Sequence, residues 1–94
     1  MADDKDNTVY IGSKPAMSYI LAVVTQFEAE ENDEVRLKAR GKTTATAIDV
    51  AEMARNKFLD GVEVADVTIG TDTVTTDEDE EMNLSSIQID LVRG

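Results

Sequence analysis

The chain has 94 residues, enough for one small domain. It contains no cysteine and no histidine, which argues against disulfide bonds, zinc sites and the histidine-activated nucleophiles of many enzymes. Twenty acidic residues against nine basic ones give a net charge of −11, and such a balance ordinarily opposes a polyanionic partner.

Residues 1–7 are acidic and polar, the opposite of a secretory signal, and we expect them to form a disordered tail. No apolar segment is long enough to cross a bilayer, so the sequence predicts a cytoplasmic protein without membrane contact. Residues 8–12 are rich in β-formers and end in glycine, which predicts a first strand.

Pro15 suits the first position of a following helix, where its missing N–H is not needed. Apolar residues recur behind it at helical spacing and predict an amphipathic helix of roughly 14 residues. The predicted buried stripe consists of Met17, Ile20, Leu21, Val24 and Phe27.

Residues 35–40 alternate strictly between apolar and basic side chains, and successive side chains of a strand point to opposite faces. The residues predicted to face the core are Val35, Leu37 and Ala39. The residues predicted to project together from the other face are Arg36, Lys38 and Arg40. Gly41 marks a turn, and Lys42 continues the positive charge into it. Because no acid lies between residues 35 and 48, we expect a locally positive surface here.

A second helix is predicted over residues 43–59, with the pair Thr43 and Thr44 as its cap and residues 60–61 as its end. Arg55 and Lys57 lie in its last turn, where cations complement the helix dipole. The predicted apolar stripe consists of Ala47, Ile48, Ala51, Ala54 and Phe58.

Two further strands are predicted, one over residues 62–69 with an irregularity near Ala65 and Asp66, and one around residues 87–91. The threonine-rich residues 71–85 between them are predicted to extend both strands as a mobile hairpin arm. The order β-α-β-α-β-β predicts a single α/β domain over residues 1–94. It would be a two-layer sandwich with both helices on one face of a four-stranded mixed sheet.

Four blocks of the sequence together resemble a known family: YIGSKPAMSY at residues 10–19, LKARGK at 37–42, AID at 47–49 and RNKFL at 55–59. The family is Alba, the small chromatin-associated proteins of archaea, and the resemblance runs from about residue 9 to residue 91. It implies the same fold, a homodimer, and sequence-independent binding of double-stranded DNA that coats, bridges or compacts the chromosome. Many members also bind RNA.

The resemblance also implies roles for single residues. Lys14 matches a loop lysine that is acetylated in some members, which would make a lysine acetylase and a deacetylase partners. Arg40 and Lys42 match positions that contact phosphates, and Phe58 matches an aromatic residue between neighbouring dimers on DNA. The predicted nucleic-acid-binding set is Ser13, Lys14, Arg36, Lys38, Arg40, Gly41, Lys42 and Arg55.

The sequence departs from the family at three places. Ser13 and Thr46 stand where many members have lysine, and the hairpin tip, residues 77–81, consists of five acids where the family's tip is basic. Carboxylates repel phosphates, so the tip is left out of the predicted footprint. It also lacks the spaced ligands and the glycine of a calcium loop, and neither a metal nor a cofactor is predicted.

No catalytic residue is predicted. Asp49 and Glu52 lie three residues apart on a helix, but nothing indicates a pocket that would shift a pKa, so we expect no enzyme. The sequence GSK at residues 12–14 lacks the full spacing of a nucleotide-binding P-loop. Two alternatives to a DNA-binding protein remain, namely a mainly RNA-binding protein in RNA stability or processing, and a dimeric protein–protein scaffold without nucleic-acid affinity. The acidity indicates either adaptation to a salt-rich cytoplasm or an ordinary acidic protein.

Overall fold

A computed structural model describes residues 7–94. The predicted tail, residues 1–7, lies outside them except for Asn7, whose carbonyl oxygen accepts a hydrogen bond from the Arg36 N–H at 3.0 Å. In chain order the elements are β1 (Thr8–Tyr10), α1 (Ala16–Glu28), β2 (Glu34–Arg40), a 3₁₀ turn (Gly41–Thr43), α2 (Thr44–Met53), a π-helical segment (Ala54–Phe58), β3 (Val62–Thr75) and β4 (Glu81–Arg93).

The four strands form one sheet in the order β1-β2-β4-β3. β1 runs parallel to β2, and the other two pairs are antiparallel. The two helices pack on one face of this sheet, so the predicted two-layer α/β fold is confirmed. Within residues 7–94 neither helix is long and apolar enough to span a bilayer.

The core lies between the helices and the sheet. The predicted inward face of β2 is confirmed, since Val35 and Leu37 are fully buried and Ala39 is 7% exposed. The largest side chains that are fully buried beside them are Phe27, Ile20, Leu91, Val23 and Val50. Burial of this apolar surface is the main term that stabilises a domain of this size.

The buried stripe of α1 differs from the prediction. Ile20 and Phe27 are buried as expected, but Met17 and Leu21 are 46% and 55% exposed. Tyr19 and Val23 take the core positions instead. Apolar residues occupy so much of this helix's circumference that two rotations satisfy the helical spacing, and packing against the sheet selects one of them.

Both predicted helix starts also differ. Pro15 is the residue before the helix, with an extended ψ of 147°, and not its first helical residue. No threonine side chain caps α2, because the hydroxyls of Thr43 and Thr44 donate to the carbonyls of Arg40 and Gly41 at 2.8 and 3.1 Å. The 3₁₀ turn leads directly into α2, so α2 begins from backbone that is already helical and does not need a side-chain cap.

The predicted single helix over residues 43–59 is regular only to Met53 and then widens into the π-helical segment. Its predicted stripe is also partly wrong, since Ile48 and Phe58 are 47% and 45% exposed while Val50 is buried. The break follows Glu52, whose side chain bonds the segment's Arg55 and Asn56.

The predicted hairpin arm is present. β3 and β4 pair continuously from Val62 opposite Arg93 to Thr75 opposite Glu81, with the predicted irregularity as a bulge between Val64 and Asp66. Arg40, the last residue of β2, lies opposite Ser86 of β4. The part of the hairpin between residues 71 and 85 therefore extends beyond β2, and its mobility stays a prediction.

Two neighbouring residues of α1 test this packing. Ile20→Ala is expected to lower the free energy of unfolding by about 2–5 kcal/mol, because it leaves a cavity among buried side chains. Leu21→Ala is the matched control and should cost under about 1 kcal/mol, since that side chain is half exposed. Urea denaturation followed by circular dichroism measures both, and equal losses would contradict the observed rotation of the helix.

Candidate nucleic-acid interface

The parallel pairing of β1 and β2 brings two loops to one end of the sheet. Tyr10 lies opposite Lys38, and the Ile11 N–H extends the pairing by donating to the Lys38 carbonyl at 2.8 Å. Parallel strands end at the same edge, so residues 12–15 after β1 and residues 40–43 at the end of β2 lie at one end of the domain. We call this the loop end, and the hairpin arm extends beyond the same end.

A buried tyrosine shapes the first of these loops. The backbone N–H groups of Gly12 and Lys14 both donate to the Tyr19 hydroxyl oxygen at 2.9 Å. A Cβ at position 12 would lie 3.2 Å from that oxygen, so the close approach favours glycine. The loop is thereby fixed from below while the side chains of Ser13 and Lys14 remain exposed.

The second loop also has a defined shape. Gly41 has a φ of +63°, the left-handed region that favours glycine, and this confirms the predicted turn. Lys42 follows it with an exposed side chain, and the Arg40 side chain before it is 57% exposed. Lys14, Arg40 and Lys42 therefore all belong to the loop end.

Of the other three predicted cations, Arg36 and Lys38 lie with Arg40 on the sheet face away from the helices, as the alternation predicted. Acids of the neighbouring strands reach two of these three. Arg36 Nε donates to Asp90 Oδ1 at 3.0 Å, and Arg40 Nη1 lies 3.8 Å from Asp72 Oδ2. Lys38 is half buried, while Lys14 and Lys42 are exposed. None of these three lysines makes an ion pair with a residue in the range 7–94.

Arg55 lies far from this group. It follows Thr44, where α2 starts at the loop end, by 11 residues, which corresponds to roughly 16 Å of helix. Its guanidinium holds the Glu52 carboxylate through two hydrogen bonds of 2.8 and 3.2 Å. The hydrogen bond from Arg55 lowers the pKa of Glu52, and the same bond raises the pKa of Arg55, so both stay charged at neutral pH. Whatever stability this pair adds is present above the ordinary pKa of Glu52 and is lost as pH falls through its lowered value.

The remaining candidates are placed as follows. Phe58 closes the π-helical segment at this distant end and is 45% exposed. Asp49 is exposed on α2, while the carboxylate of Glu52 is held by Arg55. The acidic tip lies at the far end of the arm, and within the described range 7–94 no three acidic residues are grouped so that they could hold a metal ion.

The sequence predicted the basic residues but not the acidic residues that form ion pairs with two of them. Asp72 and Asp90 lie 32 and 54 residues from Arg40 and Arg36, so only the fold brings each pair together. Tyr19 carried a faint signal, since it adjoins Ile20 of the predicted apolar stripe, and a buried tyrosine hydroxyl needs a hydrogen-bonding partner.

A sequence model of the Alba family matches residues 7–71. Two curated relatives named DNA/RNA-binding protein Alba, from Methanothrix thermoacetophila and Methanoculleus marisnigri, are each 48% identical to this chain. The alignments cover 90% and 96% of this chain and 93% and 97% of the relatives.

Solved structures agree with this match. Alba from Thermoplasma volcanium superposes with a TM-score of 0.85 at 41% identity, over 92% of this chain and 99% of that one. ALBA1 from Trypanosoma brucei superposes at 0.75 over 98% of this chain and 73% of that one, and its 18% identity shows the shared fold alone. With one fold, a family model that matches residues 7–71 and relatives aligned over nearly their whole length, the chain belongs to the Alba family.

Proposed function

We propose that this protein binds double-stranded DNA, and RNA duplexes, through the loop end of a homodimer and without sequence preference. The observation that carries the proposal is the convergence of Lys14, Arg40 and Lys42 at one end of the sheet, with both lysines free of ion pairs within residues 7–94. The names of the relatives support it, since they describe DNA/RNA-binding proteins and not enzymes.

The chemistry of the loop end suits phosphates better than base edges. Lysine presents a compact charge on a flexible stem and arginine a planar fork, and both reach phosphate oxygens without reading a base. Lys14 stands just before the amino terminus of α1, where the helix dipole also favours an anion. Gly41, with its φ of +63°, makes the turn that carries the chain from Arg40 to Lys42, so both cations stand at the loop end.

A homodimer would double this surface. Val67 and Ile69 of the edge strand β3 are 50% and 78% exposed on the helix side of the sheet, and Ile48 of α2 is 47% exposed. Ile48 and Ile69 line one shallow groove together with Ile87. Apolar surface of this kind on a soluble chain indicates a protein interface. Two copies joined here would present two loop ends to one duplex, so that avidity adds to weak single contacts.

The proposed protein is cytoplasmic and associated with the chromosome, and two residues outside the direct phosphate contacts have proposed roles there: Phe58 in contacts between dimers, and Lys14 as a site of acetylation. Phe58 is exposed and distant from the loop end, which suits a contact between adjacent dimers that coat, bridge or compact the chromosome. Acetylation of Lys14 would remove one positive charge from the loop end, so an acetylase and a deacetylase could adjust the affinity.

The surplus of acids sets the conditions for binding. A charge of −11 repels a duplex at long range, and salt screens that repulsion to about 3 Å at 1 M. In a salt-rich cytoplasm, to which the composition is suited, binding would depend on close contacts at the loop end and on avidity, since counterion release contributes little there. The acidic tip stays outside this footprint.

The loop-end lysines can be tested against a third lysine. Lys14→Ala and Lys42→Ala are each expected to weaken binding to a labelled DNA duplex severalfold at low salt and to lower the salt slope by about 1. Lys57→Ala removes the same charge from an exposed lysine at the distant end, which has no ion pair within residues 7–94, and should leave binding unchanged. Fluorescence anisotropy across a salt series measures all three.

Equal losses for the three lysine variants would mean that total charge governs binding, and would contradict an interface at the loop end. Absence of binding to DNA and RNA at every salt concentration would favour the protein–protein scaffold. Stronger binding to an RNA duplex than to DNA would favour the mainly RNA-binding alternative.

The role of Tyr19 can be tested by removing one oxygen atom. Tyr19→Phe leaves the N–H groups of Gly12 and Lys14 without their acceptor, at a cost of about 1–3 kcal/mol in the free energy of unfolding. We expect faster amide hydrogen exchange at both residues and a severalfold loss of duplex affinity. Tyr10→Phe, which removes an exposed hydroxyl, is the control, and unchanged exchange in Tyr19→Phe would show that the hydroxyl does not hold the loop.

The dimer surface can be tested by placing a charge on it. Ile69→Asp is expected to raise the dimer dissociation constant at least about tenfold, because each copy would lose an exposed isoleucine that the proposed dimer buries. Leu21→Asp puts the same charge on another exposed apolar residue and should leave the dimer intact. Sedimentation velocity measures both, and a dimer that survives Ile69→Asp would place the interface elsewhere.

A further inference from the structure

The open face of the sheet, away from the helices, carries a groove of about 530 Å³. Tyr10, Lys38 and Arg40 line it on the β1–β2 side, and Thr68 and Asp72 of β3 line it on the other. Gly70 and Ser86 lie opposite each other between them, and a Cβ at Gly70 would come within 3.4 Å of the Ser86 hydroxyl oxygen. The absence of a side chain at position 70 therefore keeps the groove open.

We propose that this groove binds single-stranded RNA, with an unpaired base stacked on Tyr10. The Tyr10 side chain is 65% exposed, although its chain neighbours Val9 and Ile11 are buried. An exposed aromatic ring on an open sheet is the platform on which proteins stack unpaired bases, and a duplex cannot use it because its bases already stack on one another.

The charges of the groove suit a phosphate backbone. Lys38 and Arg40 are the two cations among its lining residues and Asp72 is the one acid, so the groove is positive by one charge in a chain of −11. Lys38 has no ion pair within residues 7–94. Arg40 is 3.8 Å from Asp72, and an exposed pair at that distance holds weakly enough for a phosphate to displace it.

The spacing and the polar residues favour an extended RNA strand. Lys38 and Arg40 are alternate residues of β2, so their side chains leave the sheet about 6.6 Å apart on one face and can hold successive phosphates. The polar groups that line the rest of the groove are Thr68, Ser86 and Gln88. Hydroxyl and amide groups can bond base edges and the ribose 2′-hydroxyl, which distinguishes RNA from DNA.

This site is separate from the proposed duplex site. Neither Lys14 nor Lys42 lines the groove, and only Arg40 belongs to both surfaces. Variants of Tyr10 therefore test the groove and leave the side chains of the loop end unchanged. The inference does not rest on the proposed binding of duplexes.

The experiment compares three variants of the full chain with the wild type. Each is titrated by fluorescence anisotropy against an unstructured RNA of about ten nucleotides, the DNA strand of the same sequence, and a DNA duplex. Tyr10→Ala removes the stacking surface and should weaken RNA binding roughly tenfold while duplex binding stays unchanged. Tyr10→Phe keeps the ring and should bind RNA within about twofold of wild type. Lys14→Ala should lose duplex affinity and keep RNA affinity.

Thermal melting verifies that each variant is folded, and Tyr10→Leu, which keeps an apolar side chain without an aromatic ring, replaces Tyr10→Ala if that variant does not fold. RNA affinity that is unchanged in Tyr10→Ala, or RNA and duplex affinities that fall together, would overturn the site. Equal affinity for the RNA and the DNA strand would overturn the assignment to RNA. Failure of duplex binding in the wild type, with RNA binding that depends on Tyr10, would overturn the proposed function and leave this inference standing.

Discussion

The parallel pairing of the short strand β1 with β2 is the constraint on which the rest of this structure depends. A parallel pair needs a crossover that returns the chain to the same end, and α1 is that crossover. The pairing ends both strands at one edge, so the loop before α1 and the turn before α2 become neighbours. Within residues 7–94 it consists of three residue pairs with one further backbone hydrogen bond at each end, from the Arg36 N–H to the Asn7 carbonyl and from the Ile11 N–H to the Lys38 carbonyl.

The same sheet determines which of the chain's few basic side chains have an acidic partner. β4 places Asp90 against Arg36, and β3 places Asp72 near Arg40, while Lys14, Lys38 and Lys42 have no acid at ion-pairing distance within residues 7–94. An acidic protein can thus keep a positive surface, because its carboxylates pair with some basic side chains and leave others without a partner. Which cations remain available depends on strand register and not on the total charge.

The sequence was sufficient to predict the structure where a single pattern permits only one arrangement. The apolar–basic alternation of β2 predicted both of its faces, and the bulge near Asp66 followed from a break in the same kind of pattern. It was insufficient where several arrangements satisfy the rule, as for the rotation of α1 that exposes Leu21. It was also insufficient for contacts between distant segments, such as the ion pair of Arg36 with Asp90, because no local pattern encodes them.

The bulge between Val64 and Asp66 has a consequence for how copies of this chain can meet. β3 is an edge strand of 14 residues, and a flat edge of that length is a template on which further chains can add strands and grow into fibrils. A bulge increases the local twist and interrupts the ladder, and the exposed carboxylates of Asp66 and Asp72 resist a neighbouring backbone. Growth of fibrils by strand addition along this edge is thereby discouraged.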